Sequence, residues 1–96
     1  MTKTVSAVGF ELEKKQSELI EKKLGRVKYA EELAVDLILR VKHEKAYEFD
    51  VTVNFRWGNQ AHVSCEDFDF AAGLNKLIDI LDVKVQKEKE KFHDKK

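Results

Sequence analysis

The stretch that decides the fold is YEFDVTVNFRW, residues 47–57, in which apolar and polar side chains alternate without a break. Successive residues of a β-strand point to opposite faces of its sheet. The alternation therefore predicts a strand with one buried face and one face in water. The apolar face would carry Tyr47, Phe49, Val51, Val53, Phe55 and Trp57.

The segments on either side of this strand alternate in the same way. In AVDLILRVKHE, residues 34–44, the side chains expected on the apolar face are Val35, Leu37, Leu39 and Val41. In AHVSCE, residues 61–66, they are Ala61, Val63 and Cys65. Only short turns, such as GNQ at 58–60, separate the three strands. Such turns predict an antiparallel meander.

Helical spacing flanks this meander. An apolar arc that starts near Leu12 includes Leu12, Leu19, Ile20, Leu24 and Val27. A longer stripe near the end includes Phe70, Leu74, Leu77, Ile78, Leu81, Val85 and Phe92. Asp67 or Asp69 would cap this last helix, and Gly25 would weaken the end of the first. Val5 and Ala7 suggest a short strand before both helical segments, and whether Phe10 also belongs to it is left open.

The predicted fold class is α+β, with the order β-α-β-β-β-α. A sheet with one apolar face needs a cover, and two amphipathic helices on that face provide it. We therefore expect a two-layer sandwich in which a four-stranded meander leaves its other face open to water. Residues 1–96 would form a single domain. Chain ends commonly loosen, so the sequence leaves open whether the tail at 92–96 is helical or disordered.

Composition narrows the functional classes. No apolar run approaches a membrane span, and the N-terminus lacks the apolar core of a signal peptide, so we expect a cytoplasmic protein without membrane partners. The single cysteine excludes an internal disulfide. The 18 Lys and Arg balance 18 Asp and Glu, which counts against a dedicated nucleic-acid binder. The charges are nevertheless clustered, and both helical segments have more basic than acidic residues.

No motif indicates catalysis, a metal or a cofactor. His62 and Cys65 have the spacing HxxC, but residues three apart on a strand point to opposite faces and cannot share an ion. Cys65 is expected inside, where a thiol has a raised pKa and little reactivity. The glycines are scattered and form no phosphate-binding loop. We therefore expect neither an enzyme nor a small-molecule substrate.

Basic residues run along one flank of each helix. On the last helix they are Lys76, Lys84, Lys87 and Lys91, and on the first they are Lys15, Lys22 and Arg26. If the helices pack side by side, these flanks would border one groove and meet phosphates along it. The polar sheet face would add Arg40, Lys42, Arg56 and His62. The alternative is a solvated surface whose charges serve solubility alone.

Three stretches carry a resemblance to a known family: IEKKLGRVKY (20–29), AVDLILRVKHE (34–44) and FDFAAGLNKLIDILDVKV (68–85). Together with the element order, they resemble the ribosome hibernation-promoting factor family, also called sigma-54 modulation protein. The resemblance implies a double-stranded-RNA-binding-domain-like fold. It also implies a translation inhibitor that binds the small ribosomal subunit, with basic side chains on ribosomal RNA. The positions that match basic family positions are Lys23, Arg26, Arg40 or Lys42, and Lys87.

Three departures from the family pattern affect this expectation. The family's tyrosine is Ala71 here, and two expected basic positions of the last helix are Ile80 and Val83. No second C-terminal domain follows, so any hibernation role would be that of a short form. Ile80 and Val83 lie off the buried stripe, which suggests a protein-interaction module and a homodimer through the last helix. The other interpretation is a small exposed patch without a partner.

Overall fold

The computed structural model describes residues 1–94 and confirms the predicted order of elements. The strands are β1 (Thr2–Val8), β2 (Ala34–His43), β3 (Tyr47–Phe55) and β4 (Gln60–Asp67). The helices are α1 (Lys14–Leu24), a 3₁₀ segment (Gly25–Glu32) and α2 (Phe70–Asp94). In the predicted tail at 92–96, the backbone of residues 92–94 belongs to α2, whereas residues 95 and 96 and the side chains from Phe92 onward lie outside the described part. Within residues 1–94, neither helix has a stretch long and apolar enough to cross a bilayer.

The four strands form one sheet in the order β1-β2-β3-β4. The pairs β2–β3 and β3–β4 are antiparallel, as the short turns predicted. The prediction of a meander through all four strands is wrong, because β1 pairs parallel to β2. The chain passes through α1 and the 3₁₀ segment between these two strands, and such a crossover brings the second strand back in the same direction.

Both helices cover one face of the sheet, and the core lies between the two layers. The alternation in β3 is observed as predicted, since Phe49, Val51, Val53 and Phe55 are all buried. The α2 stripe is buried from Phe70 to Val85. Burying one such side chain contributes about 1.5–3 kcal/mol. The core therefore fixes the face that each helix turns inward, and hence the face that it leaves outside.

The start of β2 departs from the predicted alternation. Val35 was expected on the apolar face, but its side chain is 54% exposed, whereas Ala34 is fully buried. The pairing of β2 with β3 is irregular between Ala34 and Asp36. An extra residue in one strand shifts the side chains by one position and moves them to the other face. Sequence alternation alone does not reveal such a shift.

α1 begins at Lys14, and the Glu13 backbone N–H donates to Gln16 Oε1 at 2.9 Å. The predicted weak end at Gly25 is the point where α-helical structure stops and 3₁₀ structure begins. Within that segment Val27 has non-helical backbone angles (φ −108°, ψ 21°), and its side chain is buried. The change of geometry keeps Val27 in the core after the helix has ended.

The start of α2 is fixed by two aspartates. Asp69 Oδ1 accepts a hydrogen bond from the Ala72 backbone N–H at 3.2 Å, which satisfies one free donor of the first turn. Asp67 Oδ1 accepts the Asp69 N–H at 2.8 Å. One turn later α2 approaches β3 closely, since a Cβ on Gly73 would lie 3.0 Å from Phe49 Cδ2 and 3.1 Å from Asp67 Cβ.

Candidate nucleic-acid interface

One side of α2 lies beside β4 and carries four basic side chains. We call Lys76, Lys84, Lys87 and Lys91 the lysine flank. Two of them reach β4 directly. Lys76 Nζ donates to Asp67 Oδ2 at 2.8 Å, and Lys84 Nζ donates to the His62 backbone oxygen at 2.9 Å. Lys84, Lys87 and Lys91 line a shallow depression of about 250 Å³ along the edge of β4.

Most of the charge of the lysine flank is not neutralised. The ion pair with Lys76 holds the pKa of Asp67 below its usual range, and the same pair raises the pKa of Lys76. Lys84, Lys87 and Lys91 form no ion pair with any described residue. Glu88, which follows Lys87 and lines the same depression, accepts hydrogen bonds from Trp57 Nε1 at 3.4 Å and Asn59 Nδ2 at 3.2 Å.

The groove between α1 and α2 does not have the character that the sequence predicted. α1 and the 3₁₀ segment pack against the other side of α2, where Asp79 and Asp82 lie. Arg26 Nη1 donates to Asp79 Oδ1 at 2.6 Å, and its Nη2 lies 4.0 Å from Asp82 Oδ2. The hydrogen bond with Asp79 raises the pKa of Arg26. The expectation that the two basic flanks border one groove is therefore wrong.

A tyrosine closes the same groove further along α2. The Tyr29 hydroxyl donates to a carboxylate oxygen of Asp82, which also accepts from Gln86 Nε2 at 3.2 Å. Lys89 Nζ lies 5.9 Å from the centre of the Tyr29 ring. Partial burial and the Asp82 hydrogen bond raise the pKa of Tyr29 to about 12, because both disfavour the phenolate. These contacts fasten the 3₁₀ segment to α2.

The remaining basic candidates of α1 stand apart from the lysine flank. Lys15 and Lys22 are exposed and form no ion pair with a described residue. Lys23 is half-buried. Because α1 lies on the aspartate side of α2, these three lysines and the lysine flank do not form one continuous basic strip.

The open face of the sheet is not a basic surface. In the register of β2 and β3, Arg40 lies opposite Asp50 and Lys42 lies opposite Glu48. Lys42 Nζ also lies 3.0 Å from Glu44 Oε1, which raises the pKa of Lys42. His62 Nε2 lies 3.0 Å from Asp50. The polar face therefore balances its cations with carboxylates.

Arg56 is not part of the open face. It follows the end of β3, and its Nε donates to the Glu32 backbone oxygen at 2.9 Å. That bond ties the turn after β3 to the end of the 3₁₀ segment, which is a structural role.

Two apolar side chains interrupt the basic surface of α2. Ile80 is 43% exposed and Val83 is 53% exposed, as their positions off the buried stripe predicted. Lys76 and Lys84 stand one turn before and after Ile80, and Lys87 stands one turn after Val83. Anything that covers the apolar pair must therefore also approach these lysines.

Sequence reasoning missed three residues that define this surface. Asp79 and Asp82 were not recognised as the partners of Arg26, although a helical wheel places them on the other side of α2 from Lys84 and Lys91. Phe68 is 80% exposed in the turn between β4 and α2. Phe68 belongs neither to the alternation of β4 nor to the α2 stripe. An apolar residue that fits neither buried pattern is expected to be exposed, so the sequence could have predicted its position.

Residues weighed for metal binding or catalysis do not form a site. Cys65 was expected inside the core, but it is half-buried, and its Sγ lies 3.2 Å from the Gly73 backbone oxygen as a hydrogen-bond donor. Burial raises the pKa of this thiol. His62 faces Asp50 on the open side of the sheet. Among the described residues, no three His, Cys, Asp or Glu side chains are grouped so as to hold a metal ion.

Solved structures share this architecture. A ribosomal subunit interface protein from Coxiella burnetii superimposes with a TM-score of 0.84 at 21% identity, covering 94% of this chain and 99% of that one. The N-terminal domain of Protein Y from Thermus thermophilus gives 0.75 at 20% identity, with 91% and 98% covered. None of the curated proteins compared with the chain matches it.

A family model covers nearly the whole chain. The model described as "Sigma 54 modulation protein / S30EA ribosomal protein" matches residues 4–93, from β1 through most of α2. This chain therefore belongs to the sigma 54 modulation protein / S30EA ribosomal protein family.

Proposed function

We propose that this protein associates with the ribosome and inhibits translation by binding ribosomal RNA of the small subunit through the lysine flank. Its family and its likeness to a ribosomal subunit interface protein support ribosome association. The observation that carries the choice of surface is that three lysines, Lys84, Lys87 and Lys91, line a shallow depression that contains one acid, Glu88. None of the three forms an ion pair with a described residue. We place the whole chain, residues 1–96, in one functional unit that acts in the cytoplasm.

The chemistry of this surface suits a phosphate backbone. Each ammonium that neutralises a phosphate releases a condensed counterion. Each such contact therefore adds about one unit to the slope of log affinity against log salt concentration. Three unpaired lysines along one helix side would give a modest, salt-sensitive affinity. Such contacts recognise the backbone rather than the base sequence. The position on the ribosome would then be selected by the shape of the RNA and by neighbouring protein.

The other candidates would contribute less. Arg26 and Lys42 each form an ion pair with a carboxylate, so they would have to leave that partner before they meet a phosphate. Arg40 lies opposite Asp50 in the strand register, on a face that carries carboxylates as well as cations. Lys15, Lys22 and Lys23 on α1 remain as a second, separate set of contacts. The mechanism needs no cofactor and no catalytic group, because occupying the site on the subunit would itself block translation.

Co-sedimentation with isolated small subunits tests the proposal. The wild type is expected in the subunit fraction at low salt and largely at the top of the gradient at moderate salt. A protein that stays at the top even at low salt would disprove ribosome binding. The surface is tested by a double variant, Lys84→Gln with Lys87→Gln, which should lose most of the bound fraction.

A matched control separates the site from overall charge. Lys28→Gln with Lys45→Gln removes two exposed lysines outside the lysine flank and changes the net charge by the same amount. The control should sediment with subunits as the wild type does. Equal losses in both double variants would show that binding follows net charge and would remove the lysine flank from the proposal.

The exposed apolar pair favours a second function, a protein-interaction module of the same fold. Ile80 and Val83 occupy positions where the family pattern has basic residues, and both are about half exposed. Replacing both by lysine should abolish any self-association that light scattering detects in the wild type. The same change adds two cations to the phosphate-binding side and should strengthen subunit binding. If the wild type and the variant are both monomers, the second function is excluded.

A further inference from the structure

The outward surface of α2 carries a regular pattern that the core does not use. Its members recur at alternating steps of four and three residues, which is the spacing of a helix-pairing seam. We call this set the outer seam; it consists of Ala72, Lys76, Asp79, Val83, Gln86 and Glu90. All except Ala72, which is half-buried, are exposed. Of the apolar pair, Val83 is a member of the outer seam and Ile80 lies at its edge.

The charges on the outer seam and directly beside it change sign on passing from one side of Val83 to the other. Asp79 lies four residues before Val83, and Lys87, next to the seam, lies four residues after it. Lys76 lies seven residues before and Glu90 seven residues after. An antiparallel copy whose two-fold axis passes through Val83 would place each acid opposite a base. A parallel copy in register would place like charges together.

We propose that a second copy of this chain docks on the outer seam as an antiparallel helix pair centred on Val83. Asp79 of each copy then meets Lys87 of the other, and Lys76 meets Glu90. The two Val83 side chains meet on the axis, flanked by both Ile80 side chains. Such a two-fold contact uses the same patch on both copies and closes at a dimer.

The groups that would pair are available. Lys87 and Glu90 form no hydrogen bond or ion pair with a described residue. Asp79 bonds Arg26 through Oδ1 only, and its side chain is 62% exposed, so Oδ2 can accept a second donor. Lys76 donates to Asp67, but its side chain is 60% exposed. An ammonium has three donors, so Lys76 can meet Glu90 without leaving Asp67.

The last fully buried residue of the described α2 side chains is Val85, and the helix continues beyond it to Asp94. In the antiparallel pair, the part of α2 after Val83 lies along the first half of α2 of the other copy. Two isolated aliphatics form a small apolar centre, so the dimer is weak, with a dissociation constant between about 10 μM and 1 mM.

The dimer would regulate the site proposed above, and this consequence rests on that proposed function. Lys76 belongs both to the outer seam and to the lysine flank, and two more residues of the lysine flank, Lys84 and Lys87, lie beside the seam. A second copy on the seam covers lysines that would otherwise meet phosphate. Self-association and RNA binding therefore compete. At high protein concentration, the molecules that are not bound to RNA would be dimers in which the second copy covers the lysine flank.

Sedimentation equilibrium with charge-reversed variants tests the geometry. Asp79→Lys and Lys87→Asp should each raise the dissociation constant at least tenfold, because like charges then meet across the axis. An equimolar mixture of the two variants should form a mixed dimer of about wild-type affinity, since both cross-axis pairs are again opposite in sign. A wild type that stays monomeric up to about 1 mM overturns the dimer. A mixture that does not associate overturns this arrangement.

Cross-linking gives a second test that does not rely on the charges. In a Cys65→Ser background, V83C copies should oxidise to a disulfide-linked dimer, whereas V35C copies, at an exposed position of β2, should not. The locked V83C dimer should not sediment with small subunits, and its reduced form should. Equal subunit binding by both forms would reject the competition while leaving subunit binding itself intact. Equal cross-linking of V35C would reject the docking surface.

Discussion

The two flanks of α2 share one buried stripe but differ in what they meet. The flank toward α1 carries Asp79 and Asp82, which are bonded to Arg26 and Tyr29. The flank toward β4 is the lysine flank, where only Lys76 has a carboxylate partner among the described residues. The first flank closes a groove within the fold, and the second stays available to an outside anion. A wheel of α2 shows both flanks as polar, and only the packing distinguishes them.

The largest expected effect is a loss of stability from a variant that disturbs the packing of α2 on the sheet. Gly73→Ala would place a methyl group against Phe49, which is buried and cannot move aside. Overpacking of this kind costs about 1–3 kcal/mol, and the better helix former returns about 1 kcal/mol, so the net destabilisation is at most about 2 kcal/mol. We expect a lower midpoint in urea denaturation followed by circular dichroism.

The neighbouring exposed position provides the control for this variant. Ala71→Ser changes a residue of the same turn whose side chain faces solvent, and its effect should stay within about 0.5 kcal/mol. If Gly73→Ala proves as stable as the control, the close approach of α2 to β3 is not a constraint on the fold.

The next effect in size is reversal of charge on the lysine flank alone. Lys84→Glu with Lys87→Glu should weaken binding to small subunits at least tenfold, because two attractive contacts become repulsive. Stability should change little, since both side chains are exposed. Filter binding with small subunits measures the loss. Unchanged affinity would mean that phosphate meets another part of the molecule.

The opposite flank should respond far less. Arg26→Gln removes a cation that is already paired with Asp79, so subunit binding should fall by less than twofold. The ion pair is solvent-exposed, and the midpoint of denaturation should be nearly unchanged. The same filter-binding assay compares it with Lys87→Gln. A loss as large as that of Lys87→Gln would show that the groove contacts RNA despite its carboxylates.

The smallest effect is a pH dependence confined to the aspartate side. The pKa of Tyr29 is raised to about 12 from the ordinary value of 10.0, so the folded state keeps its proton where the unfolded state loses it. The resulting stabilisation is complete below pH 10 and is lost as pH rises towards 12. Thermal melts of Tyr29→Phe should therefore fall less steeply than those of the wild type over this interval. Parallel slopes would indicate an ordinary tyrosine.

The fold could be predicted from the sequence where one periodicity dominated. The alternation around Val51 and the stripe through Leu77 fixed which faces are buried, and the core follows them. The direction of β1 and the shifted start of β2 could not be predicted in this way. Both features depend on how the strands pair with one another. Neither changes the residue composition of the strand, so the sequence of the strand alone does not indicate it.

The candidate site could be predicted residue by residue but not as a surface. The lysines and the exposed pair Ile80 and Val83 were identified from their positions on the helix. Which flank of α2 meets α1 depends on the rotation and crossing angle of the two helices. Because both flanks are polar, the hydrophobic pattern does not indicate which of them packs against α1. The pairing of Arg26 with Asp79 then follows from that choice.

The most direct test of the central claim is the salt dependence of subunit binding, measured for the wild type and for Lys84→Gln with Lys87→Gln. If the lysine flank holds phosphates, the slope of log affinity against log salt should become shallower by about 1.4 to 1.8 units in the double variant. An unchanged slope in that variant, with a shallower slope in Arg26→Gln, would contradict the account and place the phosphates in the groove between the helices.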